Sequence, residues 1–545
     1  MDSNKRLLLA IVLILAVFLG FQFLSPKPAP KPAVQQPVPA AADPAAVTPV
    51  LAQPAAVAAK NPKLKTPGLP VTQKIIKGKG FEAVLTSQGA ALSGYRLLDF
   101  MGPSGQPVQM IPEGGRALTM NLSIAGQPVD LSDVVFEAGQ EFEDGITYQA
   151  RLANGLVVQK TYGLLENAPG LSLKIRITAP ANVYLSSKYN LAWNCGLNTT
   201  EKNKELDLKE FSALVMLGEK KTVDLDNLSK ISKQNNADTV TNGNIAYCGV
   251  RTKYFAAVML PKGKNGVYYR RGLNGKDRIS TDLGLPLTAD TNDEISVYLG
   301  PIDHGRLSKV DPALDKIADT GYKWIQPISR GILWFLLALH NFVPNYGVVI
   351  IIFSVLMKLV FFPLTYTGMR SMKKMQHLQP HLKKVQEQHK NDPGKLNQET
   401  MALYKKHGVN PFSGCLPLVL QMPVFFALYS VLINTIELRQ APFMMWIKDL
   451  SLPDSIVSFG GKLPMVGWES LSLLPILMGV AMFFQQKMTT VDPKQKMMVY
   501  MMPVFMVFIF MSLPAGLNLY WLINNILSIG EQYLIHIRTQ PPAEA

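Results

Sequence analysis

VVIIIFSVLMKLVFFPLT, residues 348–365, decides the fold of this chain. It is an apolar run with a single charge, Lys358, and from Pro344 to Thr365 it reaches the roughly 20 residues that a helix needs to span a bilayer. A charge at that depth costs roughly 2.5 to 3.5 kcal/mol on insertion scales, so such residues face protein or water and mark a pathway or a site. Ser354, four residues earlier, shares the helix face of Lys358. Two readings stand: a functional cation, or a lysine about 10 Å of rise from the inner end of its helix that snorkels to the interface.

The 545 residues are 48% hydrophobic and 17% charged, which fits a membrane protein carrying a soluble domain better than a soluble enzyme. The net charge of +15 does not point to DNA, because no basic run is interleaved with aromatics; anionic lipids and the positive-inside rule account for it. Of three cysteines, Cys195 and Cys248 fall in the exported part, where a disulfide is chemically allowed and the sequence leaves the pairing open. Cys415 lies elsewhere, and no spacing among the three suits a metal.

Residues 1–24 read as a signal anchor: Lys5 and Arg6 precede the apolar tract Leu7–Leu24, and no Ala-x-Ala pattern follows directly. Residues 25–70, with PKPAPKPAVQQPVPAAADPAA, favour polyproline II and form a semi-rigid tether. Residues 71–314 turn to period-two alternation, as in Leu171, Leu173, Ile175 and Ile177 or Ile295, Val297 and Leu299. With turns expected at Asn265-Gly266 and Asn274-Gly275, this predicts an antiparallel β-sandwich. Hydrolase, P-loop and dinucleotide fingerprints are missing from it, and Glu141, Glu143 and Asp144 read as a solvated turn.

Residues 315–343 mix Trp324, Ile328, Ile332 and Leu336 with Lys323, Arg330 and His340, an amphipathic helix suited to the outer membrane interface. After the span 344–367, residues 368–411 carry Arg370, Lys373, Lys374, Lys383, Lys384, Lys405 and Lys406, which keeps this segment cytoplasmic. Met375, Leu378, Leu382 and Val385 at helical spacing, with the turn Asn391-Asp392-Pro393-Gly394, predict a basic helical hairpin. His377 and His381 have metal-ligand spacing, but Pro380 between them and the missing carboxylate speak against a site. Spans follow at 412–436, 471–487 and, as a hairpin turned at Pro514-Ala515-Gly516, 497–534. The outer loop is 437–470, the inner loop 488–496 and the tail 535–545, giving six spans with both termini inside.

Within the spans, Asn518, Trp521, Asn525 and Ser528 form one stripe of the last helix, and Gln421 lies in the third span. Glu531, about 7 Å of rise nearer the cytoplasm than Lys358, is not expected to neutralise it unless the lysine snorkels far enough to reach it. A lone cation among neutral polar groups favours a hydrated cavity over interhelical hydrogen bonding.

KLVFFPLT from Lys358 to Thr365, NPFSGCLP from Asn410 to Pro417 and ELRQAP from Glu437 to Pro442 resemble the YidC membrane protein insertases, bacterial relatives of the Oxa and Alb proteins. LPILMG from Leu474 to Gly479 and PAGLNLYW from Pro514 to Trp521 resemble them as well. The resemblance implies a polytopic α-helical membrane protein with six spans and a five-helix insertase core, plus a periplasmic β-sandwich. Its core would enclose a hydrophilic groove open to cytoplasm and lipid. Lys358, Ser354, Gln421, Asn518, Trp521 and Asn525 are the groove candidates; the family usually has Arg at the position of Lys358 and Tyr at that of Trp521. The implied activity is nucleotide-independent insertion and chaperoning of nascent membrane proteins in the bacterial inner membrane, alone or with the Sec translocon. No cofactor, metal or enzymatic reaction is implied. The tail lacks a long basic extension, so ribosome contact would fall to the hairpin. A secondary transporter is disfavoured by the missing inverted repeat and midplane acid, and a carbohydrate-binding role of the sandwich stays open.

Overall fold

Leu171, Leu173, Ile175 and Ile177 are fully buried while Lys174 and Arg176 point to solvent, so the strand Gly170–Thr178 has one wet face. Its partner Asp290–Pro301 pairs antiparallel with Leu173 opposite Ile295, and Ile295, Val297 and Leu299 fill the same face. The computed structural model describes residues 69–218, 223–228, 231, 239–272, 278–318, 324–389, 392–408, 416–461, 468–489 and 496–538. The expected anchor, most of the tether, the Asn274-Gly275 turn and most of the Asn410–Pro417 motif lie outside them.

A four-stranded sheet runs in chain order from Gln73–Gly78 to Pro107–Gln109, a fourteen-stranded sheet holds the described strands from there to Pro301, and Ser455–Ser458 pairs with Ser470–Ser472 in the outer loop. Every pairing is antiparallel, in line with the expected all-β exported domain. The large sheet folds over at one long strand, Thr239–Arg251. Its first half pairs with Asn265–Gly272 and its second with Phe255–Leu260. Gly243, at the changeover, takes φ 150°, which side-chain-bearing residues rarely adopt. Tyr189, Leu191 and Leu283 from one layer share a single core with Leu173, Val158 and Val297 from the other, which makes a sandwich. A second core forms where the helix His304–Val310 and the turns after it cover Tyr247, Val258 and Tyr298 with Leu307, Leu314 and Ile317. Cys195 and Cys248 are buried free thiols, so the possible disulfide is not formed. The turn expected at Asn265-Gly266 is displaced: those residues open a strand, and Lys262 and Gly263, at φ 53° and 70°, make the bend instead.

One lysine lies inside the sandwich. Lys160 is fully buried, and its Nζ donates to the carbonyls of Leu118 (2.7 Å), Gly89 (3.1 Å) and Ala90 (3.2 Å). Burial pushes its pKa down to about 7. Just above pH 7 the unfolded chain then binds a proton that the native state has released, so this lysine makes native stability rise with pH there. Nearer pH 9 the buried thiols of Cys195 and Cys248, whose pKa burial raises, act in the opposite direction. In thermal melts of the intact protein, the sandwich transition is expected to move up from pH 7 to 8. Lys160→Met should flatten that slope.

Beyond the sandwich the chain is helical: α1 Gln326–His340, α2 Tyr346–His377, α3 Gln379–Gln388, α4 Pro393–Lys406, α5 Leu416–Asn434, α6 Leu473–Thr489, α7 Lys496–Phe510 and α8 Ala515–Arg538. The single amphipathic helix expected over 315–343 is two described helices, Asp315–Ala318 and α1, with Pro327 at the start of α1. On α1, Ile332 and Leu336 are buried while Trp334 is 71% exposed, the two-sided pattern expected of an interfacial helix. In the region of the expected hairpin, α3 and α4 are two helices in contact, and Asp392 caps α4 by accepting from the backbone N–H of Gly394 and Lys395. Among the described residues, one helical stretch, Tyr346–Ser371 of α2, is both long and apolar enough to cross a membrane. Leu420–Asn434, Leu473–Met488 and Val499–Phe510 are apolar but shorter.

Candidate functional site

The ammonium of Lys358 is paired. On α8, Ser528 and Glu531 are three residues apart and so occupy one face, and α2 packs against that face. Lys358 Nζ donates to Ser528 Oγ at 2.8 Å and stands 2.8 Å from Glu531 Oε2, with the lysine side chain 12% and the glutamate side chain 7% exposed. The expectation that Glu531 lies too deep to neutralise Lys358 is therefore wrong. The lone cation gives way to a buried ion pair, the contact that the snorkelling reading left open. Rise along the helix axis was an incomplete measure, because the four-carbon lysine stem is long enough to span the offset between the two positions and bring Nζ within 2.8 Å of the carboxylate.

A cavity of ≈ 550 Å³ adjoins the pair, walled by Val355, Leu359, Phe362 and Tyr366 of α2 and by Ile526, Leu527, Gly530 and Leu534 of α8. Its walls are apolar and its rim open: Leu359 is 63% exposed, Leu534 60% and Ile526 50%. The arrangement is a greasy trough with one neutralised charge pair at its base.

The other groove candidates stand elsewhere. Ser354 is fully buried, and its hydroxyl donates to the Ile350 carbonyl at 2.7 Å, as a helical serine without another partner does. Asn518 is fully buried and donates to the carbonyls of Phe510 and Leu513, both at 3.3 Å, which closes the α7–α8 turn. Trp521 packs edge-on against Phe425 at 5.1 Å and against Phe510 at 5.6 Å, making an aromatic joint between α5, α7 and α8. Asn525 is 6% exposed, and its Nδ2 has no partner among the described residues. Gln421 is half-buried on α5, and none of these five lines the cavity. The expected stripe is therefore split: its outer members hold the bundle, and Ser528 alone reaches the pair. The open apolar walls belong to α2 and α8. Of the hairpin cations, Arg370, Lys374, Lys383, Lys384, Lys405 and Lys406 are exposed, and the side chain of Lys373 lies outside the described residues.

Two groups that sequence reasoning did not single out organise the outer side. Asp454 Oδ2 accepts from the backbone N–H of Leu473 and Leu474 and from Trp446 Nε1, capping α6. Arg439, within the Glu437–Pro442 motif, crosses to the sandwich. Its Nε meets Glu201 Oε1 at 2.7 Å, and Nη2 donates to the carbonyls of Met101 (2.8 Å) and Thr200 (3.1 Å). The guanidinium also lies 5.5 Å from the ring centre of Phe255. Burial pushes Glu201 above the usual carboxylate range, and Arg439 opposes that shift. Ile436 beside it enters the sandwich core itself.

Residues 75–335 match the family description "YidC periplasmic domain", and residues 338–542 match "60Kd inner membrane protein". A curated relative from Prosthecochloris aestuarii, "Membrane protein insertase YidC", is 33% identical over 98% of this chain and 95% of its own length. One of the same description from Chlorobium phaeovibrioides is 33% identical over 99% of this chain and 96% of its own. Among solved structures, a crystal structure of an "Active YidC insertase" aligns over 85% of this chain and 94% of that one, at 19% identity and a TM-score of 0.37.

Proposed function

Because this chain belongs to the YidC family, we propose that it is a membrane protein insertase and chaperone of the bacterial inner membrane, serving nascent membrane proteins. The observation that carries this reading on the chain's own residues is the Lys358–Glu531–Ser528 cluster at the base of an open apolar trough. Five spans form the core around it in this reading, α2, α5, α6, α7 and α8, and the N-terminal anchor is a sixth. The sandwich stands in the periplasm, and the hairpin and both termini in the cytoplasm.

The trough explains how insertion proceeds without nucleotide hydrolysis. A polar client terminus entering from the inner side exchanges water for the ammonium, carboxylate and hydroxyl of the cluster, which lowers the cost of moving it into hydrocarbon. The client's apolar segment leaves along Leu359, Phe362, Ile526 and Leu534. Its burial in lipid, about 25 cal/mol per Å² of apolar surface, drives the step. The exposed lysines of α3 and α4 offer anionic lipid headgroups, the ribosome or the incoming chain a cationic landing surface, and the Sec translocon would share clients at the bundle.

Photo-crosslinking tests this. A crosslinker at position 359 or 526 is expected to capture a stalled nascent membrane protein, and one at exposed Tyr184 of the sandwich is not. Equal labelling at all three, or none at 359 and 526, would overturn the trough as the client path.

A further inference from the structure

Glu531 is only 8% exposed, yet neither carboxylate oxygen has a hydrogen-bond donor in proper geometry among the described residues. Lys358 Nζ stands 2.8 Å from Oε2 and also donates to Ser528, so Oε2 is engaged by the ammonium while Oε1 has no partner among the described residues. A carboxylate offers about four acceptor sites, and leaving those of Oε1 empty in a buried place is costly. The residue also lines the cavity, whose remaining walls are apolar apart from Lys358 and the phenol of Tyr366. An under-satisfied buried acid facing an open cavity is a receptor for donors.

We infer that Glu531 binds basic side chains of the client and sets which charges the trough accepts, an inference that rests on the insertase reading. The pair is neutral as a unit. An entering acid must compete with Glu531 for Lys358, whereas an entering lysine or arginine finds acceptor sites that nothing else fills. The trough thereby accepts either sign, each opposed by one resident group. A cationic groove without the acid would favour acidic clients alone.

The test uses the full-length protein in proteoliposomes and three versions of one single-span client, whose translocated tail carries Lys, Asp or Ser at the same position. Insertion of the Ser-tail client by the unaltered protein checks the insertase reading by itself, and its failure would sink that reading rather than the role of Glu531. Glu531→Gln keeps size and removes charge. The ratio of Lys-tail to Asp-tail insertion is expected to fall about tenfold, the effect of one modest charge contact. Glu531→Asp keeps the charge, and its ratio should stay nearer that of the unaltered protein. An unchanged ratio in Glu531→Gln, or equal loss of all three clients, would overturn the assignment.

Discussion

Lys358→Ala is expected to abolish insertion and to destabilise the helical bundle at the same time. Removing one partner of a buried pair leaves the other uncompensated, which costs about 3–5 kcal/mol, and Glu531 has no hydrogen-bond donor among the described residues to fall back on. The two losses separate in a double variant. Lys358→Met with Glu531→Leu fills the same space without charge, so thermal stability should return to the original level or above it, while insertion of a polar tail stays lost. Recovery of insertion along with stability would show that the cluster only holds helices together. Lys358→Arg keeps the sign and should retain most activity, though its fork has to fit against both Ser528 and Glu531.

Arg439→Ala is the second large effect. It removes a guanidinium that ties Glu201 and two main-chain carbonyls of the sandwich to the outer loop of the bundle. The expected penalty is again about 3–5 kcal/mol, because Glu201 and the carbonyls become unsatisfied in a dry place. The measurement is proteolysis of the intact protein in nanodiscs. Cleavage near Met101 and the Glu437–Pro442 segment should accelerate while the sandwich core stays resistant. Arg439→Lys should rescue only in part, since an ammonium cannot reach three acceptors across that span. Unaltered proteolysis in Arg439→Ala would mean that Ile436 and its neighbours hold the junction without it.

Local patterns were legible in the sequence, and long-range pairings were not. Alternation over Leu171–Ile177 announced its strand because one face is buried and the other wet. The apolar run around Lys358 announced α2 for a similar reason, and charge placed the hairpin after it. The Asn265-Gly266 turn failed because a favourable dipeptide stood next to the true bend at Lys262-Gly263. Arg439 and Glu201 are 238 residues apart, so nothing local marks them as partners. Ser354 and Asn518 were misplaced because polarity on a lipid-facing element was read as an opening. Both satisfy themselves on main-chain carbonyls instead, a solution that leaves no trace in spacing. Glu531 was in view, but axial counting alone set it too far from Lys358.

The length of α2 has a mechanical side. At 32 residues it extends about 48 Å, longer than the roughly 30 Å of a bilayer's hydrocarbon, so its lower third is a stalk that leads on to α3 and α4. Pro363 interrupts this rod about 7 Å below Lys358, where the Leu359 carbonyl loses its helical donor. The rod is expected to be weakest at that joint, so a load on α3 and α4 would bend it there before it disturbs the ion pair above.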